Sequence, residues 1–349
     1  MDEMKEFIRI DPRSQVPKYS QIVAAIIDDV LRRKLKEGER IPSINDLSEQ
    51  YDVSRDTVEK AYGLLRKKGV IESKKRRGFF IAKPSLKVRP KVLLMLNKFS
   101  DYELKVFNTL VTSLNKDVQV DFFVYHYDVD LFVNHILSCA GRYDYYLIMP
   151  HFKDHCLRHQ SGNKKIDWVL NKIPREKIGF LDNLIPGWEG HWDAVVQDFK
   201  TDISAALKQT IEKLRKYKKI VLVFPDNLPY PYPEEIKTGF RKFCLDFQFD
   251  FEVVDVPHPA IEEGTAYVII EEKDLVRING LAKKRNIRPG NGIGIISYND
   301  SPLKKMSGIS VITTDVRQMG ESGASLINSP DFNRATCKNP FHFIERESL

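Results

Sequence analysis

The chain has 349 residues and a formal charge of +7, with 42% hydrophobic residues. That content supports ordinary globular cores and excludes a wholly disordered chain. No apolar stretch approaches the ~18 residues a membrane span requires, the start MDEMKE lacks the apolar core of a signal peptide, and the four cysteines are widely spaced without a CxxC pair, so reduced thiols in a cytoplasmic protein are expected.

The charge is unevenly placed. Residues 1–90 hold 21 Lys and Arg against 14 Asp and Glu, while 91–349 hold 34 of each. A basic N-terminal module that meets a polyanion, followed by a neutral module with another task, is the expected division.

In chain order, Ile22, Val23, Ile26, Ile27, Val30 and Leu31 form an apolar stripe that predicts a helix over 19–36, closed by Gly38. Ser43 and Asp46 have the spacing of a helix N-terminal box, predicting a short second helix that ends near Tyr51. Ser54 can cap a third, whose inward face is Val58, Ala61, Tyr62 and Leu65, leaving Arg55, Thr57, Glu59 and Lys60 elsewhere. Two short helices joined by a tight turn make a helix-turn-helix whose second helix enters a major groove. Strands at 70–73 and 78–81 then flank a basic tip, Lys74, Lys75, Arg76 and Arg77, suited to phosphates or a minor groove.

The run RIPSINDLSEQYDVSRDTVEKAYGLLRKKGVIESKKRRGFFI (40–81) resembles the winged-helix domain of GntR-type transcriptional regulators. The resemblance spans most of 15–82, with helix, turn and wing markers in order. It implies DNA contacts from Arg55 and Thr57 and a close backbone approach at Gly78, with Ser43, Asn45, Ser54, Lys60 and residues 74–77 completing the expected surface. Asn45 stands where those regulators carry Arg, which replaces a guanine contact with a side chain suited to phosphate or adenine.

Residues 83–90, rich in Lys and Pro, read as a linker. Beyond it, strand-like runs at 92–96, 119–125, 145–149, 177–181, 219–224, 251–256, 267–270 and 293–297 alternate with helical segments at 103–115, 130–141, 165–171, 201–216, 233–247, 274–285 and 316–327. That alternation predicts parallel α/β sheets, too many for one half-fold, hence two lobes that enclose a ligand at the carboxyl ends of their strands.

The C-terminal end carries a second resemblance. Ser297-Tyr298-Asn299-Asp300, Thr313-Thr314, Met319-Gly320 and Arg346-Glu347-Ser348 follow the order of elements in LacI-type effector domains. The implied fold is a small winged helix-turn-helix plus a two-lobed, periplasmic-binding-protein-like domain of parallel α/β sheets. Lobe one is expected at about 91–195 and 315–329, and lobe two at about 196–314 and 340–349, with chain crossings near Val196, Thr314 and 329–340. A GntR head on a LacI-like effector domain is similar to arabinose-repressor-type members, and this implies a homodimer on palindromic double-stranded operator DNA, modulated by a sugar.

Loops after strands supply the candidate ligand residues: Phe99, Tyr102, Tyr125, His126, His151, Asp182 and Asn183 in lobe one, and Asp226, Asn227, Glu271 and Asn299 in lobe two. The resemblance favours Asp182 and Asn299 and places the family's ligand-binding Arg on Ile236. Trp188 and Trp192 are stacking candidates or packing residues. Hydroxyl-rich ligands need paired carboxylates or amides beside an aromatic platform.

Other signals are weaker. Gly290-x-Gly292-x-Gly294 precedes a strand and lacks phosphate-cradle geometry. His151, His155 and His159, with Cys156, could hold zinc on a helix, but a polar helix start is the simpler reading. Neither Glu234-Glu235 nor Glu271-Glu272 completes a catalytic set, so no enzyme activity, metal or cofactor is expected. The alternatives are a constitutive DNA-binding protein with a non-sensing dimerisation domain, or a sugar-processing enzyme fused to a DNA-binding head.

Overall fold

The computed structural model describes residues 8, 10, 16–31, 34–82, 90–139, 141–188, 193–226, 228–328 and 336–349. Contacts divide the chain into two units, Met1–Arg89 and Pro90–Leu349. Apart from Pro90, the linker expected at 83–90 lies outside the described residues, as do Trp192 and Asn227.

The first unit is built as its apolar pattern directs. Its helices are Lys18–Leu31, Ile44–Gln50 and Arg55–Lys67, and its strands Arg40–Ile41, Ile71–Lys74 and Gly78–Ile81 form one antiparallel sheet with the last strand central. Ser43 and Asp46 close a reciprocal capping box, and the Ser54 hydroxyl accepts from the Thr57 amide. Ile22, Ile26, Leu47, Val58, Ala61, Tyr62 and Leu65 meet in the core. One expectation changes: residues 34–36 are not helical, so the helix described as Lys18–Leu31 does not run to 36 and Gly38 is not its cap. Gly38 sits at φ 79° in the turn before Arg40–Ile41, donating its amide to the Ile81 carbonyl at 2.9 Å. It therefore serves the sheet.

The second unit holds two main sheets. In the first, strands Thr336–Lys338, Asp193–Val196, Ile178–Asp182, Tyr145–Ile148, Lys91–Leu96 and Gln119–Val124 lie side by side in that order, all parallel. In the second, Asp250–Val254, Lys219–Val223, Thr265–Ile269, Gly292–Tyr298 and Ser310–Thr314 are parallel and Phe341–Ile344 closes the edge antiparallel. The central strands are buried on both faces, which is why they read as near-continuous apolar runs. Helices cover each sheet, giving two separate apolar layers per sheet.

The chain passes between the sheets after Val196, after Thr314 and at Asn339-Pro340. Asn339 is 1% exposed and stitches these passages together. Its amide donates to the Val196 carbonyl at 2.8 Å, and its carboxamide donates to Thr314 Oγ1 at 2.8 Å and the Asp315 carbonyl at 2.9 Å. One buried residue thereby ties all three crossings together.

Several elements depart from the sequence pattern. The 201–216 segment is two helices, Phe199–Gln209 and Ile211–Leu214, broken at Thr210. The histidine-rich segment is not a helix start: Phe152–Lys153 and His159–Gln160 pair as a small antiparallel hairpin. Asp154 makes that turn, its carboxylate accepting from the Cys156 and Arg158 amides at 2.8 Å each. The strands Asp193–Val196, Ser310–Thr314, Thr336–Lys338 and Phe341–Ile344 are not among the expected apolar runs.

Candidate nucleic-acid interface and ligand cleft

On the first unit, Asn45 and Arg55 are exposed near the starts of their helices and Thr57 is half-buried. Ser43 and Ser54 are committed to capping, with Ser54 Oγ also 2.7 Å from Thr57 Oγ1. They hold the helix starts, with Ser54 exposed and Ser43 half-buried. Lys60 Nζ lies 4.0 Å from the centre of the Tyr19 ring, a cation–π contact that packs its stem on the first helix. In the wing, residues 74–77 are exposed, and Lys74 pairs with Glu72 at 2.9 Å. The turn places Arg76 at φ 63° and Gly78 at φ 97°. Only glycine holds the latter without strain, which frees Lys75, Arg76 and Arg77 at the tip.

Within the second unit, a cleft of about 360 Å³ opens between the two sheets at the carboxyl ends of their strands. Tyr102, Asp182, Gln197, Phe199, Tyr232, Glu271, Tyr298 and Asn299 are among its walls. Asp182, 6% exposed, is its polar centre. It ends strand Ile178–Asp182 in the left-handed region, at φ 71°. That conformation is costly for a non-glycine residue and is found where surrounding structure over-determines it. Here the determinants are hydrogen bonds: Tyr102 Oη donates to Oδ1 at 2.6 Å, Gln197 Nε2 donates to the same oxygen, and His151 Nε2 lies 2.8 Å from Oδ2. Burial pushes the Asp182 carboxyl up, but hydrogen bonding and charge from His151, with Tyr102 and Gln197, outweigh it and hold the carboxyl below the usual aspartate range. His151 Nδ1 is in turn 2.8 Å from His159 Nε2. Burial first, then the charge of His151, pushes His159 down to about 2, with Asp182 acting in the opposite sense.

The facing wall is built the same way. Asn299 also adopts a left-handed φ, 59°, one residue beyond strand Gly292–Tyr298. Lys304, 5% exposed, fixes this turn by donating to the Tyr298 carbonyl at 2.8 Å and the Asn299 carbonyl at 2.9 Å. Asp300 is clamped by a two-pronged Arg346 contact at 2.9 and 2.7 Å. Burial raises the Asp300 carboxyl, yet the Arg346 hydrogen bonds and charge bring it below its ordinary value. Glu271 accepts from Tyr232 Oη at 2.6 Å.

Of the ligand residues expected from sequence, the cleft collects Tyr102, His151, Asp182, Glu271 and Asn299, and Ile236 lines it as an apolar wall, 1% exposed. The others stand elsewhere. Tyr125 is fully buried, donating to the Met149 carbonyl and accepting from the His151 amide at 3.1 Å, so it braces the loop behind the cleft. Trp188 is 7% exposed against Phe180 and donates to Asp167 Oδ1 at 3.1 Å, a packing role. Asn183 donates to the Pro150 carbonyl at 3.1 Å and Ser161 Oγ at 2.8 Å. Phe99 is 57% exposed and stacks toward Phe122 outside the cleft. His126 is exposed and lies 3.0 Å from Tyr230 Oη, outside the residues that line the cleft. Asp226 pairs with Lys237 at 2.9 Å beside a separate cavity. Sequence reasoning did not single out Asn97, Glu103, Tyr127, Gln197, Tyr232 or Lys304. Gln197 was the most findable, one residue past the Val196 crossing and just before Asp198.

Asp154, His155 and Cys156 group their ligand atoms within 4.8 Å. Asp154 Oδ1 serves the turn's own amides, however, and His151 and His159 point away into the Asp182 network. The three-histidine zinc arrangement does not form.

Comparison with known proteins follows the same division. The pattern of the bacterial regulatory proteins of the gntR family matches residues 18–81. The arabinose metabolism transcriptional repressor of Geobacillus stearothermophilus is 32% identical over 340 residues, covering 89% of this chain and 90% of that protein. The chain belongs to the GntR family of transcriptional regulators. HTH-type transcriptional repressor YtrA of Bacillus subtilis is 28% identical over 123 residues, covering 32% of this chain and 95% of that repressor. Among solved structures, the trehalose repressor of Escherichia coli matches with a TM-score of 0.58 at 12% identity, covering 73% of this chain and 99% of that one. A lac repressor dimer bound to operator matches with a TM-score of 0.58 at 11% identity, covering 75% and 94%. At those identities the likeness establishes the fold: the second unit of this GntR regulator has the two-lobed fold seen in the trehalose and lac repressors. No helix among the described residues is long and apolar enough to cross a membrane.

Proposed function

We propose that this regulator reads operator DNA with its winged helix and senses a sugar in the cleft of its second unit. Arg55, Thr57 and Asn45 contact the major groove, while Lys75, Arg76 and Arg77 of the wing neutralise phosphate. Asp182 and Asn299 are the central polar ligands of the sugar, with Tyr102, His151 and Glu271 beside them and the tyrosine rings as apolar platforms. The protein acts as a cytoplasmic homodimer on a palindromic site and has no enzymatic activity of its own. Closure of the two lobes about the crossings tied by Asn339 couples sugar and operator affinities reciprocally.

The observation that carries this reading is the cleft's makeup. A buried carboxylate is held ready by three side chains at the carboxyl ends of parallel strands, in a chain related along 89% of its length to an arabinose metabolism repressor. The test is binding to the promoter region beside its own gene, with and without a panel of pentoses, hexoses and deoxysugars. Arg55→Ala is expected to lose about 1–3 kcal/mol of operator discrimination while sugar affinity survives. Failure to prefer any duplex over random DNA would refute the DNA-reading role.

A further inference from the structure

We infer that the cleft selects its ligand by charge: it takes a carbohydrate rich in hydroxyl or amino donors and rejects phosphorylated and acidic sugars, with Glu103 and Glu271 setting that selectivity. This rests on the reading of the cleft as a sugar site and narrows it to a chemical class.

The first observation is the charge left over after the walls neutralise themselves. Asp101 pairs with Lys105 at 2.5 Å and Asp300 with Arg346 at 2.7 Å, while Asp182 is held by Tyr102, Gln197 and His151 through hydrogen bonds. Lys304, 3.6 Å from Glu272, is committed to two backbone carbonyls. Two more lining carboxylates lack a cation among the described residues. Glu103, 1% exposed, is held only by the Ser100 amide at 3.1 Å and the Ser100 hydroxyl. Glu271 is held by Tyr232 at 2.6 Å. Against them stands one ammonium, Lys98, which makes no ion pair among the described residues and faces the Tyr232 ring at 5.4 Å. Binding an anion here would add like charge to a partly desolvated wall.

The second observation is independent of charge. The buried polar atoms left unpartnered around the cleft are mostly acceptors: Asn97 Oδ1 and Gln197 Oε1, together with the Tyr298 hydroxyl. Asn97 and Tyr298 are 3% and 5% exposed. Gln197 cannot turn its amide around, because its Nε2 donates to the Asp182 carboxylate, which only accepts. Tyr102 and Tyr232 have already spent their protons on carboxylates. A ligand that satisfies this wall must bring donors. Hydroxyl and amino groups do so; a phosphate or carboxylate brings acceptors.

The experiment is calorimetric titration of the full-length protein with matched pyranoses of gluco, galacto and manno configuration. Each is supplied as the neutral sugar, the 2-amino sugar, the uronate and the 6-phosphate, with L-arabinose as a further neutral probe. Neutral or amino forms are expected to bind, and the anionic form of the same configuration to bind about tenfold or more weakly for each negative charge. Glu271→Gln and Glu103→Gln are expected to narrow that gap. The amide introduced by Glu103→Gln retains an acceptor for the Ser100 cap, and an unchanged unfolding transition verifies that each variant is folded. A uronate or phosphate that binds within about threefold of its neutral parent overturns the inference, as does a gap unchanged in both variants; the sugar-site reading survives either result. If no member of the panel binds, the sugar-site reading fails and this inference falls with it.

Discussion

Replacing Asp182 is the sharpest test of how the cleft is held together. Its carboxylate accepts from Tyr102, Gln197 and His151 while only 6% exposed. Asp182→Ala strands those three groups. A hydrogen bond to a charged partner contributes about 1.5–3 kcal/mol, and leaving buried polar groups without a partner adds about 1–3 kcal/mol. The cleft admits water, which recovers part of that loss, so a destabilisation of about 3 kcal/mol is expected. Asp182→Asn keeps one acceptor for Tyr102 and Gln197 and should cost about 1–2 kcal/mol. The assay is urea unfolding of the full chain followed by tryptophan fluorescence. The three tryptophans, at 168, 188 and 192, all belong to the second unit, so the signal reports that unit alone. The pH sign follows from the depressed carboxyl: the Asp182 contribution is complete above the ordinary aspartate value and is lost as pH falls through the lower folded value. Asp182→Asn should remove that acid-side loss. A change under about 1 kcal/mol in Asp182→Ala, or equal costs for both variants, would refute the claim that this carboxylate organises the cleft.

Three further outcomes are expected. Lys75→Ala and Arg77→Ala should each lower the slope of log affinity against log salt by about one and weaken binding evenly across DNA sequences; a sequence-selective loss would show that the wing reads bases instead. His159 is held neutral far below its ordinary value, so below about pH 6.5 the unfolded chain binds a proton that the folded chain does not, and stability falls by up to about 1.4 kcal/mol per pH unit. His159→Gln should flatten stability between about pH 6 and 5, measured by the same urea titration. Ser54→Ala removes the cap on helix Arg55–Lys67 and should cost the first unit about 1 kcal/mol, read by thermal unfolding followed by circular dichroism.

The winged helix was legible almost residue by residue, because its signals are local. Capping at Ser43 and Ser54, the inward stripe of Val58, Ala61, Tyr62 and Leu65, and the turn at Gly78 each act within a few positions of one another. The strand–helix alternation of the second unit was legible for the same reason. What periodicity could not show was which side of a strand end faces the ligand. Tyr125 and His126 are neighbours after one strand, yet the first is buried behind the cleft and the second is exposed beside Tyr230. Asp182 and Asn183 part in the same way: one is the polar centre, the other ties a loop to Pro150 and Ser161.

By itself, then, the sequence determined the class of regulator, the partition of charge between a basic head and a neutral second unit, and a cleft at the strand ends. Only the tertiary structure decided the site's membership. Tyr102, His151, Asp182 and Gln197 come from four separate segments, and what unites them is a network of hydrogen bonds across 15 to 80 residues of chain. Such contacts depend on how the strands align in the sheet and where each turn places its backbone, and no local pattern of residues encodes that alignment.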